Sequence, residues 1–240
     1  MAGAGVNAAL RGVRACVFDA YGTLFDVGSA AAACRDVSLG ERAPALSSLW
    51  REKQLQYTWL RSLQGRHVDF WQVTGDALDF ALETLGIVDS GLRTRLMDLY
   101  LKLAPYPEVP EVLGRLRAAG LRVAILSNGS PRMLQAAVDA AGIAAMVDAV
   151  LSVEEVGVYK PHPRVYQLAV DRLALAPRAI AFVSANAWDA WAGAAFGLRA
   201  VWCNRQRLRP ERLPGRPEHE IASLAELPAL VGAQGGARLQ

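Results

Sequence analysis

Three cysteines, three histidines and almost no excess of one charge leave this 240-residue chain short of several kinds of chemistry. Cys16, Cys34 and Cys203 are odd in number, far apart and without a CxxC spacing. That usage excludes a disulfide framework and predicts a reducing compartment, the cytoplasm. His67, His162 and His219 are too scattered to form a metal site and are read as structural or surface residues; no metal or other cofactor is expected. Lys and Arg total 26 against 23 Asp and Glu, a net charge of +3 with no basic stripe, so a nucleic-acid partner is excluded. No run approaches the ~20 apolar residues that cross a bilayer, which excludes a membrane partner. The first fifteen residues lack a charged segment followed by an apolar core, so no secretory signal is expected.

What is present is ample core material: 52% hydrophobic residues against 20% charged. The length suits one domain carrying a smaller insert. Residues 1–10 read as a flexible leader. They contain a G-x-G-x-x-A match at residues 3–8, but no strand precedes it, so a dinucleotide fingerprint is rejected. The first element is a buried strand over residues 13–18, ending at the Asp19-Ala20-Tyr21-Gly22-Thr23 turn. Residues 27–103 carry helical periodicity throughout, with Leu46, Leu49, Trp50, Lys53, Tyr57 and Leu60 on one face and Ala77, Leu78, Ala81 and Leu82 on another. Beyond residue 104 helix and strand alternate, with strands predicted over 121–126, 148–152, 179–183 and 199–202. That order predicts an α/β fold: a doubly wound, mostly parallel sheet, Rossmann-like in its winding, with an inserted helical-bundle cap. The division is core at 1–27 and 104–240 and cap at 28–103. The proline- and arginine-rich stretch 205–220 is expected to be a surface loop, followed by a short helix near 224–231.

In an open parallel sheet ligands bind beyond the carboxyl ends of the strands. The predicted strand ends deliver Asp19, Tyr21 and Thr23; Ser127 and Asn128; and Ser184, Asn186 and Asp189. Lys160 lies in the loop after the strand predicted over 148–152, before Pro161-His162-Pro163. Any one of these has an ordinary explanation as turn or cap chemistry. Four strand ends contributing polar groups to one edge point instead to a site.

Phe18-Asp19-Ala20-Tyr21-Gly22-Thr23-Leu24, Leu126-Ser127-Asn128-Gly129, Lys160-Pro161-His162-Pro163 and Phe182-Val183-Ser184-Ala185-Asn186-Ala187-Trp188-Asp189 fall in the order of the four motifs of the haloacid dehalogenase superfamily. With Tyr21 and the run from Trp50 to Arg61, the chain more narrowly resembles the (S)-2-haloacid dehalogenases, from about residue 13 to 231. Phosphatases of the superfamily carry a second aspartate where this chain has Tyr21. An unperturbed tyrosine, with a pKa of about 10, is a poor proton shuttle at neutral pH. Lys160 can offset the charges of Asp19 and Asp189, which suits chemistry without a metal.

The resemblance implies that Asp19 displaces halide from C2 of a short (S)-2-haloalkanoate, forming an aspartyl ester that water cleaves to the (R)-2-hydroxy acid. Asp189, oriented by Lys160, Ser184 and Asn186, would activate that water, while Tyr166 and Thr23 would hold Lys160 and Asp19. Ser127, Asn128 and the backbone at Ala20 and Tyr21 would meet the substrate carboxylate, and Arg51 would receive the halide. Leu55, four residues after Arg51, would share its pocket-facing side, and Tyr21, Trp50, Trp59, Phe70 and Trp188 would wall a dry pocket. A homodimer through the cap is also implied. Glu52 stands where the family usually has glutamine, and Ala185 where a serine is common. Glu52 beside Arg51 is expected to alter anion capture, and it keeps open an action on a strained cyclic amino acid; an Mg²⁺-dependent phosphohydrolase is the other alternative.

Overall fold

A computed structural model describes residues 10–27, 39–89 and 91–233. Cys34, the first part of the predicted cap at 28–38, and residues 1–9 of the predicted leader, with their G-x-G-x-x-A match, lie outside the described residues. Six strands form one sheet: β1 (Ala15–Phe18), β2 (Arg122–Ser127), β3 (Ala149–Ser152), β4 (Ile180–Ser184), β5 (Arg199–Cys203) and β6 (His219–Ile221). All neighbours are parallel, in the order β3-β2-β1-β4-β5-β6. The central strands are apolar up to their carboxyl ends because helices cover both faces, and β1 and β4 have no exposed residue. Connections leave β1 toward β2 on one side and β4 on the other. That reversal opens the crevice beyond its carboxyl end.

Two readings of the sequence are corrected here. Leu10, assigned to the leader, is buried, and its N–H donates to the Leu230 carbonyl at 2.5 Å. Residues 219 and 220, assigned to a loop, begin β6: His219 pairs with Val201 and Glu220 with Trp202. A three-residue edge strand reading His-Glu-Ile has too few apolar residues to announce itself.

Between β1 and the second half of the sheet stand the cap helices α1 (Ala43–Gln64), α2 (Phe70–Thr84) and α3 (Leu92–Leu99). α1 ends where Gly65 turns left-handed, with φ at 64°, and donates to the Ser62 carbonyl. α2 begins at Asp69, whose side chain accepts from the Gln72 N–H at 2.9 Å. The face that α1 buries differs from the predicted one. It runs through Leu46, Trp50, Gln54 and Thr58, leaving Leu60 exposed. Two polar side chains thus sit inside the cap, and both are satisfied: Gln54 donates to Thr74 at 2.8 Å and Thr58 to the Leu55 carbonyl at 2.6 Å. The remaining helices, α4 (Val109–Ala118), α5 (Pro131–Ala140), α6 (Pro163–Leu173), α7 (Ala187–Phe196) and α8 (Leu227–Leu230), cover the sheet. Among the described residues no helix is long and apolar enough to cross a membrane. Cys16 and Cys203 are buried and unpaired, and burial raises their thiol pKa to about 12 and about 11.

Candidate active site

β1 delivers Asp19 to the sheet edge, and its N–H donates to the Val183 carbonyl at 2.9 Å, which ties it to β4. The carboxylate is held on both oxygens. Oδ1 accepts from Lys160 Nζ at 3.0 Å; Oδ2 accepts from Asn186 Nδ2 at 2.8 Å and from the Thr23 hydroxyl at 3.2 Å. The same Thr23 oxygen accepts from the Ala185 N–H at 2.8 Å, so its proton is directed at Asp19.

Lys160 is 1% exposed and Asp189 0%. The ammonium donates to Asp189 Oδ2 at 2.8 Å, and Asp189 Oδ1 accepts from the Tyr166 hydroxyl at 2.7 Å. The Lys160 backbone N–H donates to Asn128 Oδ1 at 3.0 Å, which anchors its loop on the end of β2. One positive charge therefore stands between two carboxylates with little water nearby. Burial alone would lower the Lys160 pKa, but Asp189 and Asp19 outweigh it and hold the group above its ordinary range, fully protonated. Asp189 moves up from the ordinary carboxylate range, because burial outweighs the attraction of Lys160. Among the described residues no cluster of three or more His, Cys, Asp or Glu is placed to hold a metal ion. The gap between the two carboxylates is filled by the lysine itself.

From the cap side Arg51 reaches across to the core. Its guanidinium donates to Asn186 Oδ1 at 3.2 Å and to Gln54 Oε1 at 2.7 Å. Gln54 in turn donates to Thr74, whose hydroxyl donates to the Phe70 carbonyl at 2.6 Å. Gln54 and Thr74 had no signal as site residues beyond Gln54 falling three positions from Arg51, on one side of a helix.

These groups enclose a cavity of about 10 Å³, lined by Asp19, Tyr21, Arg51, Leu55, Phe70, Ser127, Asn128, Lys160, Asn186 and Trp188. That is close to the smallest space that holds one water molecule. Tyr21 packs on Phe70 with ring centroids 6.0 Å apart and on Tyr100 at 5.9 Å. Its hydroxyl is buried without a hydrogen-bond partner among the described residues, and burial drives its pKa far up, further from any proton shuttle. Gly129 makes room for this ring, since a Cβ there would stand 2.8 Å from Tyr21 Cε2.

Several expected positions differ. Glu52 is exposed and absent from the cavity wall, because one step along a helix turns a side chain about 100° from Arg51. Tyr166 holds Asp189 rather than Lys160, and the Asn186 amide holds Asp19 rather than Asp189. Ser184 is fully buried and accepts from the Asn186 N–H at 3.2 Å. Ala20 is also buried off the cavity; its carbonyl accepts from the N–H groups of Thr23, Leu24 and Phe25, fixing the turn that aims Asp19. Trp50 is not on the wall: its indole donates to the Thr74 carbonyl at 2.8 Å inside the cap. Trp59 stands behind Trp188 instead, edge to face at 5.6 Å. Asp189 and Tyr166 lie behind Lys160. His162 caps α6, accepting from the Arg164 N–H, and His67 packs on Tyr159.

A buried aspartate at the end of the central strand, a lysine clamped between carboxylates and an arginine let down from a helical cap define an α/β hydrolase built for nucleophilic displacement. The family model for haloacid dehalogenase-like hydrolases matches residues 13–197, and the chain belongs to that family. Among its relatives, (S)-2-haloacid dehalogenase 1 of Pseudomonas sp. (strain CBS-3) is 48% identical over 91% of this chain and 96% of its own length. (S)-2-haloacid dehalogenase 4A of Burkholderia cepacia is likewise 48% identical, over 90% of this chain and 93% of its own. A crystallised Xanthobacter autotrophicus L-2-haloacid dehalogenase with chloropropionic acid covalently bound superposes with a TM-score of 0.85 at 38% identity, covering 93% of this chain and all of its own.

Proposed function

We propose that this protein is an (S)-2-haloacid dehalogenase that acts on short 2-haloalkanoates without a metal. The observation that carries the reading is the Asp19–Lys160–Asp189 arrangement beneath Arg51. An Asp19 oxygen attacks C2 from the face opposite the halogen; the carbon–halogen bond breaks and its electron pair leaves with the halide. Arg51 receives that anion, and Leu55, Phe70 and Trp188 exclude the water that would compete for it. Ser127, Asn128 and the backbone at Tyr21 meet the substrate carboxylate. Water then adds to the aspartyl carbonyl, its proton passing to Asp189. The acyl–oxygen bond breaks, and the product leaves as the (R)-2-hydroxy acid after regaining a proton. Lys160 remains charged throughout and balances whichever carboxylate is ionised.

The alternatives lose their support at particular residues. A phosphohydrolase needs a second carboxylate where Tyr21 stands with its raised pKa. The cyclic amino acid reading relied on Glu52, which is away from the cavity.

Division at residues 27/28 and 103/104 into core and cap, a homodimer through the cap and a cytoplasmic location complete the proposal. Leu60, Leu63 and Phe80 lie exposed on α1 and α2, which supports cover by a second copy; unpaired Cys16 and Cys203 support the location.

The test is halide release from (S)-2-chloropropionate in EDTA, with single turnover in H₂¹⁸O. The expected results are metal-independent release and label on Asp19 before it appears in product. Activity confined to phosphate esters with Mg²⁺ would overturn the proposal, and label appearing first in the hydroxy acid would replace the ester step by direct attack of water.

A further inference from the structure

Trp188 belongs to the walls of three cavities, two of which matter for an apolar substrate group. On one side is the 10 Å³ space above Asp19; on the other is an apolar pocket of about 430 Å³ lined by Trp59, Pro161, Tyr166, Phe196 and Leu213 among others. The larger pocket sits directly behind the reacting groups. Pro161 follows Lys160 in the chain, Tyr166 is bonded to Asp189, and Trp188 precedes Asp189. Its volume is within the range of roughly 300–1,000 Å³ that small-molecule sites occupy. A third cavity of about 350 Å³ also meets Trp188, but Asp26, Asn204, Arg205 and Glu211 are part of its lining, so it suits a hydrocarbon chain less well than the apolar pocket does.

Trp188 is the residue the two walls share. Trp188 meets Trp59 edge to face at 5.6 Å, and the Trp59 indole nitrogen is buried without a hydrogen-bond partner among the described residues. Ring packing, not a hydrogen bond, holds Trp59 in place. We propose that Trp188 is the chain-length determinant of the enzyme, a partition that bars the alkyl group of the substrate from the apolar pocket behind it, and that this pocket accepts longer alkyl chains when the indole is removed. The inference rests on the dehalogenase reading for its substrate class. Pocket and partition themselves are independent of the reaction.

The experiment compares (S)-2-bromopropionate with (S)-2-bromooctanoate in the wild type, in Trp188→Ala and in Trp188→Ala with Ala195→Trp. Ala195 is an exposed residue of the pocket wall, so a large ring there fills the pocket without touching the reacting groups. Trp188→Ala is expected to raise the octanoate-to-propionate ratio of kcat/KM at least about tenfold, since each buried methylene favours the longer chain. Adding Ala195→Trp is expected to return the ratio toward the wild-type value. Calorimetry with octanoate, which undergoes no reaction, should show tighter binding to Trp188→Ala than to the wild type. An unchanged ratio, or octanoate binding that does not respond to either substitution, would overturn the proposal. Failure of the wild type on bromopropionate would instead remove the dehalogenase reading and leave the octanoate measurement to decide on the pocket.

Discussion

The core side of the cavity is held by charge and the cap side by rings and a relay of amides. Asp19, Lys160 and Asp189 are buried, and their short, charge-assisted hydrogen bonds leave few alternative positions. Arg51 is half-buried, carries no ion pair among the described residues, and is steadied by Gln54 and Asn186, while Tyr21 packs on Phe70 and Tyr100 in the same wall. The difference fits the two tasks. A nucleophile benefits from a fixed line of attack, and an arginine awaiting an anion needs its charge uncommitted.

Substitutions on the two sides should therefore differ in kind. Lys160→Met leaves two carboxylates without their shared counter-ion; turnover should fall by about 10⁴-fold and stability by about 3–5 kcal/mol, read by halide assay and chemical denaturation. A catalytic loss with no loss of stability would show that charge does not hold the core side. Arg51→Lys keeps the charge but loses the planar fork; kcat/KM should fall by about 10²-fold while stability holds. A stability loss as large as that of Lys160→Met would erase the distinction. The pH profile sharpens it further. Asp189 acts as a base only when ionised, and its pKa is raised, so hydrolysis of the ester should fail as pH drops through a value above the ordinary carboxylate range of about 4. In Asp189→Asn that acid limb should vanish, and one equivalent of halide should be released as the ester accumulates, visible by intact mass. In folding the raised pKa works in the opposite direction to catalysis: Asp189 favours the native state most below its unfolded pKa, and that contribution is lost as pH rises through the folded value. Gln54→Leu removes one of the supports of Arg51 and should cost about tenfold in kcat/KM, without changing the pH profile. Glu52→Gln should stay within about twofold of wild type, since Glu52 is on the exposed face of α1.

The core half of this comparison was legible in the sequence and the cap half only partly. Strand ends are punctuated by short polar motifs, and parallel topology brings them to one edge, so Asp19, Asn128, Lys160 and Asp189 could be gathered before any coordinates. Which of them bonds to which could not, because Asn186 and Tyr166 each lie within reach of more than one charged group. In the cap, Gln54, Thr74 and Tyr100 look like ordinary helix residues. Their positions depend on how α1 crosses α2, a tertiary property that tilted the buried face away from Leu60. Glu52 was misplaced for a simpler reason: adjacency in sequence is not adjacency on a helix.

The separation of the site's residues along the chain has a consequence for how the protein comes into being. Lys160 lies 141 positions from Asp19, and Asn186 lies 167 positions from it. At ribosomal rates of roughly 5–20 residues per second, the nucleophile is made some ~10–30 s before the residues that hold it. During that interval β1 waits first for β2 and then for β4, so at least one of its apolar edges stays unpaired until β4 is made. The chain is therefore catalytically silent until the crossover that sets β4 beside β1 closes, and activity reports on that long-range pairing rather than on either half alone.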